Sequence, residues 1–422
     1  MGAGCQAVLA ASDLPAVYNR DHLPLAGFAM STREIVQDIG QRQDAMVGLL
    51  RELVEHESGT YDKADVDRLG TLLRGHLAAL DFETDLVRQD RLGDHVVGRR
   101  PSKNGKQIVL VGHFDTVFSH GTLAERPWRV EGDRAYGPGV YDMKGGIVIL
   151  LTALDALRKA GSPFWSDCGI SVFFNSDEEI LSPTSAGPID AIARECQTAC
   201  ILEPARPGGE YTFVRKGAGK FFMKIAGRAA HAGGQPELGR SASLELAHKT
   251  IALHAMNDLS KGTTVNVGVM RAGERSNIIC PDAYAEIDLR AIDPEEMESA
   301  IEAMRQVAAA TTVPDTTAEF WGDPYFPPLP RKPVNERLFG LMREAAAEVG
   351  FEARDIVSGG GSDGNHTGQI VPTIDGMGIG GDGAHTEREF GVLSSLPERA
   401  SALALFLHAW PDRIDGIISG GS

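Results

Sequence analysis

The run at residues 107–115, QIVLVGHFD, decides the fold of this chain. A short, unbroken apolar run that ends in polar residues predicts a strand buried on both faces. The runs at 169–175 (GISVFFN) and 199–202 (ACIL) predict two more strands of this kind. Helical patterns separate them, one from about residue 144 to 160 and one near Ala191. Strands that alternate with helices predict an α/β domain, whose mostly parallel sheet has helices on both faces.

Two helical patterns precede these strands. Ser31 and Glu34 form a capping box at the start of one long amphipathic helix. Its apolar residues are Ile35, Ile39, Met46, Leu49, Leu50 and Leu53. A second helix carries Val66, Leu69, Leu72, Leu73, Leu77 and Leu80. The spacing of both sets predicts one buried face on each helix.

The pattern changes near residue 212. Strand-like segments at 221–225, 264–270 and 283–289 alternate with helical patterns at 241–259 and 294–310. The order β-α-β-β-α-β is typical of a ferredoxin-like α+β domain. Helix and strand alternation resumes after the proline-rich stretch 324–330. We therefore expect a discontinuous domain, residues 31–211 and 329–422, that carries an inserted domain at 212–328.

Composition excludes several classes of protein. Of 422 residues, 23% are charged and 42% hydrophobic, as in ordinary globular proteins. With 41 Lys and Arg against 58 Asp and Glu, the net charge is −17. This charge argues against a nucleic-acid partner or an anionic membrane surface. No apolar run approaches the roughly 18 residues that a membrane span requires.

The N-terminal segment lacks the features of a secretory signal, because Asp13, Arg20 and Asp21 interrupt its apolar stretches. We expect a cytoplasmic protein, with a periplasmic location as the lesser alternative. Either Met1 or Met30 can be the true start. The five cysteines are Cys5, Cys168, Cys196, Cys200 and Cys280. They form no motif with metal-site spacing and are expected to be small buried hydrophobes in a reducing compartment.

Acidic residues and histidines stand where the strands should end. The segments are 112–116 (GHFDT), 141–145 (YDMKG), 177–179 (DEE), 202–204 (LEP) and 384–386 (AHT). Each alone has an ordinary structural explanation, such as a surface turn. Because parallel strands end at one edge of a sheet, several together predict one site. Oxygen and imidazole donors suit zinc or a similar divalent metal. Two Zn²⁺ ions would balance the charges of Asp142, Glu179, Glu203 and one hydroxide.

These motifs resemble the two-zinc metallopeptidases that include glutamate carboxypeptidase (carboxypeptidase G), aminoacylase, acetylornithine deacetylase and succinyl-diaminopimelate desuccinylase. The resemblance extends from about residue 33 to 412 and is greatest to carboxypeptidase G-like members. It implies that the larger domain is catalytic and that the insert serves as a lid and a dimerisation domain. It also implies a homodimer that takes a small N-acyl amino acid or a short peptide.

The resemblance assigns a role to each site residue. It implies that His113 and Glu203 bind one zinc, that His385 and Glu179 bind the other, and that Asp142 bridges both. Asp115 would orient His113, and Glu178 would be the general base. His231 resembles a lid histidine that stabilises the oxyanion. Co²⁺ or Mn²⁺ are possible substitutes for zinc, and a cis peptide bond is expected between Asp142 and Met143.

Substrate contacts follow from the same resemblance. Arg290 matches a lid arginine that grips a substrate carboxylate, and Asn277 matches a polar contact nearby. The glycines Gly359, Gly360 and Gly361 would offer backbone N–H groups to the same carboxylate. The alternative is that this loop is only a flexible turn.

The implied function is hydrolysis of an amide bond next to a free C-terminal carboxylate, by two zinc ions that activate a bridging water. One alternative is an N-acyl-amino-acid deacylase with a product other than glutamate. Another is an inactive binding homologue on the same fold. A third treats residues 358–364 (SGGGSDG) as a phosphate loop, but they lack the lysine of that motif.

Overall fold

The computed structural model describes residues 30–206 and 208–420. Its helices are α1 (Thr32–Gly40), α2 (Gln43–Val54), α3 (Lys63–Ala79), α4 (Thr122–Glu125), α5 (Gly145–Ala160), α6 (Pro163–Asp167), α7 (Ala186–Ala193), α8 (Ala242–His254), α9 (Pro294–Ala309), α10 (Pro333–Val349), α11 (Asp363–Thr367) and α12 (Ser395–Ser419). Cys5 and the alternative start at Met1 lie outside the described residues.

The strands are β1 (Glu83–Val87), β2 (His95–Arg100), β3 (Gln107–His113), β4 (Arg129–Glu131), β5 (Arg134–Tyr136), β6 (Gly169–Asn175), β7 (Thr198–Ile201), β8 (Tyr211–Arg215), β9 (Gly217–Ala226), β10 (Thr264–Ala272), β11 (Asp282–Ala291), β12 (Thr317–Phe326), β13 (Asp355–Ser358), β14 (Thr373–Ile374), β15 (Gly381–Asp382) and β16 (Phe390–Val392). Short helical turns lie at Val140–Lys144, Glu178–Ile180 and Pro236–Leu238.

The chain forms two compact units. The small unit consists of Val214–Pro330 and Val357–Gly361. The large unit contains the described residues up to Phe213, Arg331–Ile356, and those from Ser362 onward. The predicted role of the insert as a lid stays a prediction.

The large unit is built on a six-stranded sheet with the order β1-β2-β6-β3-β7-β14. Strands β6, β3, β7 and β14 run parallel, whereas β2 and β1 pair antiparallel at one side. Val109 and Val111 of β3 pack with Ile189 of α7 on one face. Ile108 and Leu110 point to the opposite face and are also fully buried. The prediction of a mostly parallel sheet, covered on both faces, is confirmed.

One glycine lets helix α5 approach this sheet closely. Nearly every residue of α5 is buried. A Cβ atom on Gly146 would lie 2.1 Å from the carbonyl oxygen of Leu202. Since Leu202 directly follows β7, the glycine brings the start of α5 against the strand end that leads to Glu203.

The small unit is an antiparallel sheet with the order β10-β11-β9-β12. Along β11, alternate residues from Ala283 to Ala291 enter a core with residues of α8 and α9. Tyr284, Glu286, Asp288 and Arg290 point to the other face. Its element order, β9-α8-β10-β11-α9-β12, is the predicted β-α-β-β-α-β.

The prediction of one long first helix is wrong, because the chain breaks between α1 and α2. The predicted capping box of Ser31 and Glu34 is present at the start of α1. Gly40 weakens the helix at its end, and Arg42 then turns inward. Its guanidinium lies 2.7 Å from the carboxylate of Asp155, which is fully buried. Arg158 and Lys159 also bind this carboxylate, and Arg42 adds a long-range ion pair at the position of the break.

Two other expectations are checked directly. Cys168, Cys196, Cys200 and Cys280 are buried and free, as expected. Within the described part of the chain, no helix combines the length and the apolarity that crossing a membrane requires.

Candidate metal centre

Three neighbouring parallel strands deliver side chains to one edge of the large sheet. His113 ends β3, while Glu178 and Glu179 follow the end of β6 by three and four residues. Glu203 follows the end of β7 by two residues. Because β6, β3 and β7 are adjacent, these side chains converge as the strand pattern predicts.

Asp142 lies between two imidazoles. One carboxylate oxygen is 3.1 Å from Nε2 of His113, and the other is 3.3 Å from Nε2 of His385. Nε2 of His113 also lies 3.5 Å from Glu203, and Nε2 of His385 lies 3.0 Å from Glu179. We call His113, Asp142, Glu178, Glu179, Glu203 and His385 the carboxylate–imidazole cluster.

The donors of this cluster fit divalent metal. Ligand atoms of His113, Asp142 and Glu179 lie within 4.8 Å of one another, as do those of His113, Glu178 and Glu203. Imidazole nitrogen and carboxylate oxygen are the donors that zinc accepts in catalytic sites. Four carboxylates in a buried space repel one another, and bound cations would remove that repulsion.

The pKa values reflect this crowding. Burial raises the pKa of Glu178 well above its usual range, and the neighbouring carboxylate of Glu203 raises it further. Burial also raises the pKa of Glu179. The hydrogen bonds that His385 donates to the carboxylates of Asp142 and Glu179 raise its pKa to about 11. Burial alone would raise the pKa of Asp142, but hydrogen bonds from the two imidazoles lower it.

Asp115 aligns two parts of the cluster at once. Its carboxylate is fully buried and lies 3.4 Å from Nδ1 of His113, which turns Nε2 toward Asp142. The same carboxylate accepts the backbone N–H groups of Glu178 and Glu179, each at 3.3 Å. Thr60 donates its hydroxyl to Asp115 at 2.7 Å. Asp115 therefore fixes the histidine and the two glutamates relative to each other.

Glu389 holds the loop that carries Asp142. Its buried carboxylate accepts the backbone N–H groups of Gly139, Tyr141 and Asp142, at 3.1, 2.9 and 3.1 Å. Burial raises the pKa of Glu389 to about 7. The sequence places Glu389 four residues after His385 but gives no sign of this contact. The peptide bond between Asp142 and Met143 is cis, as expected.

His385 has an uncommon backbone conformation. It lies in the loop between β15 and β16 with φ of 63°, in the left-handed region that residues other than glycine rarely adopt. Such conformations are concentrated at functional sites, where surrounding structure holds them. Gly383, with φ of 82°, begins the same turn.

Asp363 is a buried acid that the sequence analysis did not identify. It begins α11 and accepts hydrogen bonds from the amide of Asn175 and the hydroxyl of Ser182. Burial raises the pKa of Asp363 to about 6, and its charge contributes to the raised pKa of Glu178. Local sequence cannot reveal this contact, because nearly 190 residues separate Asp363 from Asn175.

His231 and Asn277 lie together in the small unit. The N–H of Ala232 donates to the carbonyl of Asn277 at 3.0 Å, and His231 bridges to Ile278. His231 is exposed, and its Nδ1 accepts the N–H groups of Gly233 and Gly234 at 3.1 and 2.9 Å. Because Nδ1 accepts, a neutral His231 carries its proton on Nε2 and can donate it outward.

Arg290 lies at the far end of the same sheet. Asn277 precedes the first residue of β11, Asp282, whereas Arg290 is close to the last. Eight residues of strand, at ~3.3 Å each, put roughly 26 Å between the two ends. Arg290 binds Asp288 at 3.0 Å. The structure therefore does not bring Arg290 and Asn277 together within one chain.

The predicted glycine loop belongs to the small unit. The guanidinium of Arg215 donates to the carbonyls of Gly360 and Gly361 at 3.2 and 3.0 Å. The N–H of Gly360 donates to the hydroxyl of Ser358. A Cβ atom on Gly361 would lie 2.1 Å from the ring of Phe326, which explains the glycine there. A role of Gly359, Gly360 and Gly361 in substrate binding stays a prediction.

Comparisons with known proteins agree with this geometry. Residues 109–409 match the model of peptidase family M20/M25/M40. The chain is 31% identical over 387 residues to carboxypeptidase G2 of a Pseudomonas species, covering 89% of this chain and 92% of the relative. It is 26% identical over 216 residues to N-acetyl-L-citrulline deacetylase of Xanthomonas campestris, covering 49% and 56%.

A solved structure shows the same fold. The aminopeptidase PepT of Bacillus cereus superposes with a TM-score of 0.74 at 22% identity, over 87% of this chain and 98% of that one. The family match covers most of the chain, and the relative at 31% identity extends over nearly all of it. The chain is therefore a member of peptidase family M20/M25/M40 and, with it, a metal-dependent hydrolase that acts on amide bonds.

Proposed function

We propose that this enzyme cleaves the amide bond of an N-acyl amino acid or short peptide with a free C-terminal carboxylate, as a glutamate carboxypeptidase does. The observation that carries the proposal is the Asp142 carboxylate, which presents one oxygen to His113 and the other to His385. A carboxylate placed between two imidazoles is suited to join two metal ions.

Two zinc ions fit the side chains present. His113, Asp142 and Glu203 would hold one ion, and His385, Asp142 and Glu179 the other, with Co²⁺ or Mn²⁺ as possible substitutes. When bound, the ions would polarise the substrate carbonyl and lower the pKa of the attacking water. Four positive charges against three carboxylates leave the site ready for one further anion.

Glu178 is proposed as the group that moves the proton. It stands apart from the imidazole, with an oxygen 3.9 Å from Nε2 of His113. It would accept a proton from the attacking water and deliver it to the leaving nitrogen. Asp115 holds the backbone of Glu178, so the base keeps its place while its charge changes.

His231 is proposed to donate Nε2–H to the oxyanion. Arg290 and Asn277, with the glycine loop, would bind the substrate carboxylate. Since Asn277 precedes the start of β11 and Arg290 lies near its end, one chain cannot apply both to one small substrate. We therefore propose a homodimer in which His231 and Asn277 serve the partner subunit's site and Arg290 serves its own.

The small unit offers a surface for such a dimer. β10 is an outer strand of its sheet and presents an edge that a second copy can pair with. Met270 of β10 is 49% exposed, while Leu244 and Ile251 of the neighbouring α8 are 51% and 71% exposed. Apolar side chains this exposed beside an open strand edge are typical of an interface. A cytoplasmic location stays a prediction from the sequence.

One alternative has specific support. The similarity to N-acetyl-L-citrulline deacetylase favours an N-acyl-amino-acid deacylase whose product is not glutamate. The ligands and the base would be the same, and only the pockets would differ.

Metal analysis and a substrate screen test the proposal. The purified enzyme is expected to hold two zinc ions per chain and to hydrolyse N-acyl-glutamates or dipeptides. Preferred release from N-acetylornithine or N-acetylcitrulline would favour the deacylase. A chain that binds no metal, or that hydrolyses none of these compounds with metal bound, would contradict the proposed function.

A further inference from the structure

A cavity of ≈250 Å³ opens beside the carboxylate–imidazole cluster within the large unit. Glu179 and Ile180 line it together with Tyr61, Val117 and Phe118. Tyr61 is 77% exposed and Val117 43% exposed. Exposed apolar side chains around a concave site are typical of ligand binding rather than of a plain surface.

The walls of this cavity are fixed to the catalytic residues. The N–H of Thr116 donates to the carbonyl of Ser58 at 2.8 Å, and the N–H of Thr60 donates to the carbonyl of Thr116 at 3.1 Å. The hydroxyl of Thr60 binds Asp115, which also holds Glu179. Arg126 stacks on the ring of Phe118 at 4.2 Å and donates to the carbonyl of Thr386, next to His385. These contacts connect the cavity walls to Glu179 and to the loop that carries His385.

Charge decides which end of the substrate fits. Among the described residues, the lining includes the acidic residues Asp62 and Glu179 but no lysine or arginine. A free substrate carboxylate would therefore find no cationic side chain to pair with in this lining. The leaving nitrogen must face Glu178, whose side chain lies with His113 and Glu203 rather than in this lining. The part of the substrate that remains to occupy the cavity is the acyl group, on the other side of the carbonyl.

Size narrows the class of acyl group. An apolar cavity of ~150 Å³ holds one benzene ring, whereas sites for larger, drug-sized ligands measure ~300–1,000 Å³. At ≈250 Å³, this cavity matches one ring or a branched aliphatic group. We propose that it is the acyl subsite of the enzyme and accepts a compact, uncharged apolar acyl group about the size of one aromatic ring. This inference rests on the proposed function.

The test compares N-benzoyl and N-acetyl derivatives of the amino acid that the enzyme releases fastest. For the metal-loaded wild type, we expect kcat/KM to favour benzoyl at least tenfold, as apolar pockets discriminate by about 10–200-fold. Val117→Trp should fill the cavity and lower the benzoyl-to-acetyl ratio at least tenfold. Val130→Trp is the matched control, because Val130 is 46% exposed in the same unit but outside the lining.

A second variant keeps the test valid if Val117→Trp does not fold. Tyr61→Ala removes one lining side chain at a largely exposed position and should lower the benzoyl-to-acetyl ratio of kcat/KM several-fold. Unfolding midpoints and metal content are measured for every variant. A wild type that prefers acetyl, or a ratio that both variants leave unchanged, would overturn the acyl subsite alone. A metal-loaded wild type that hydrolyses no N-acyl amino acid would instead overturn the proposed function.

Discussion

Mixing two inactive variants tests whether the active site is shared between subunits. Glu178→Ala removes the proposed base in the large unit, and His231→Ala removes the proposed oxyanion donor in the small unit. Each is expected to be nearly inactive alone, because losing a general base typically costs ~10²–10⁴-fold. After subunit exchange, the mixture should recover about a quarter of wild-type activity.

The expected recovery of activity follows from the position of His231 and from the statistics of subunit mixing. In the proposed homodimer, His231 would act across the interface, because it lies beside Asn277, and roughly 26 Å of β11 separates that end of the strand from Arg290. Equal mixing makes about half of the dimers mixed. Each mixed dimer has one site with an intact Glu178 and an intact His231, and one site that lacks both. One working site in four gives a quarter of the activity.

The assay measures turnover of the best N-acyl amino acid while native mass spectrometry follows exchange of isotope-labelled subunits. A mixture of Glu178→Ala and Glu179→Ala is the matched control. Both residues lie in the carboxylate–imidazole cluster, so neither defect can be complemented by the partner. Recovery that stays at the level of the parents, despite confirmed exchange, would show that His231 acts within its own chain and would refute the reasoning.

Three further predictions concern single side chains. Glu178→Ala should lose turnover but keep two metal ions per chain, whereas Glu179→Ala should lose metal, as measured by elemental analysis; equal metal loss would contradict the assignment. Glu389→Gln should destabilise the metal-free protein by about 1–3 kcal/mol in urea unfolding, because an amide nitrogen then faces one of three buried N–H donors. Burial lowers the pKa of His76 to about 4 from 6.5, so the unfolded chain takes up the proton first and stability falls as the pH drops from 6.5 toward 4. That loss amounts to about 2 kcal/mol at pH 5. His76→Leu should remove this contribution to the difference in the free energy of unfolding between pH 7 and pH 5. An unchanged difference would contradict the role of His76.

The sequence by itself determined the fold class and most of the cluster. The largely apolar runs at 107–112, 169–175 and 199–202 are too short for helices and therefore predict buried strands of a covered sheet. Parallel strands bring their carboxyl ends to one edge, so His113, Glu178, Glu179 and Glu203 could be placed together from their positions after those runs. The order of strands and helices in the insert was also predictable from local sequence patterns.

Only the tertiary structure decided what depends on distant residues. Asp142 comes between His113 and His385 because Glu389, 247 residues further on, binds its loop. Arg42, at the break after the first helix, binds Asp155 across 113 residues, and Asn175 donates to Asp363 across 188 residues. Periodicity and capping act over a few residues, whereas these contacts form only after packing brings separate segments together.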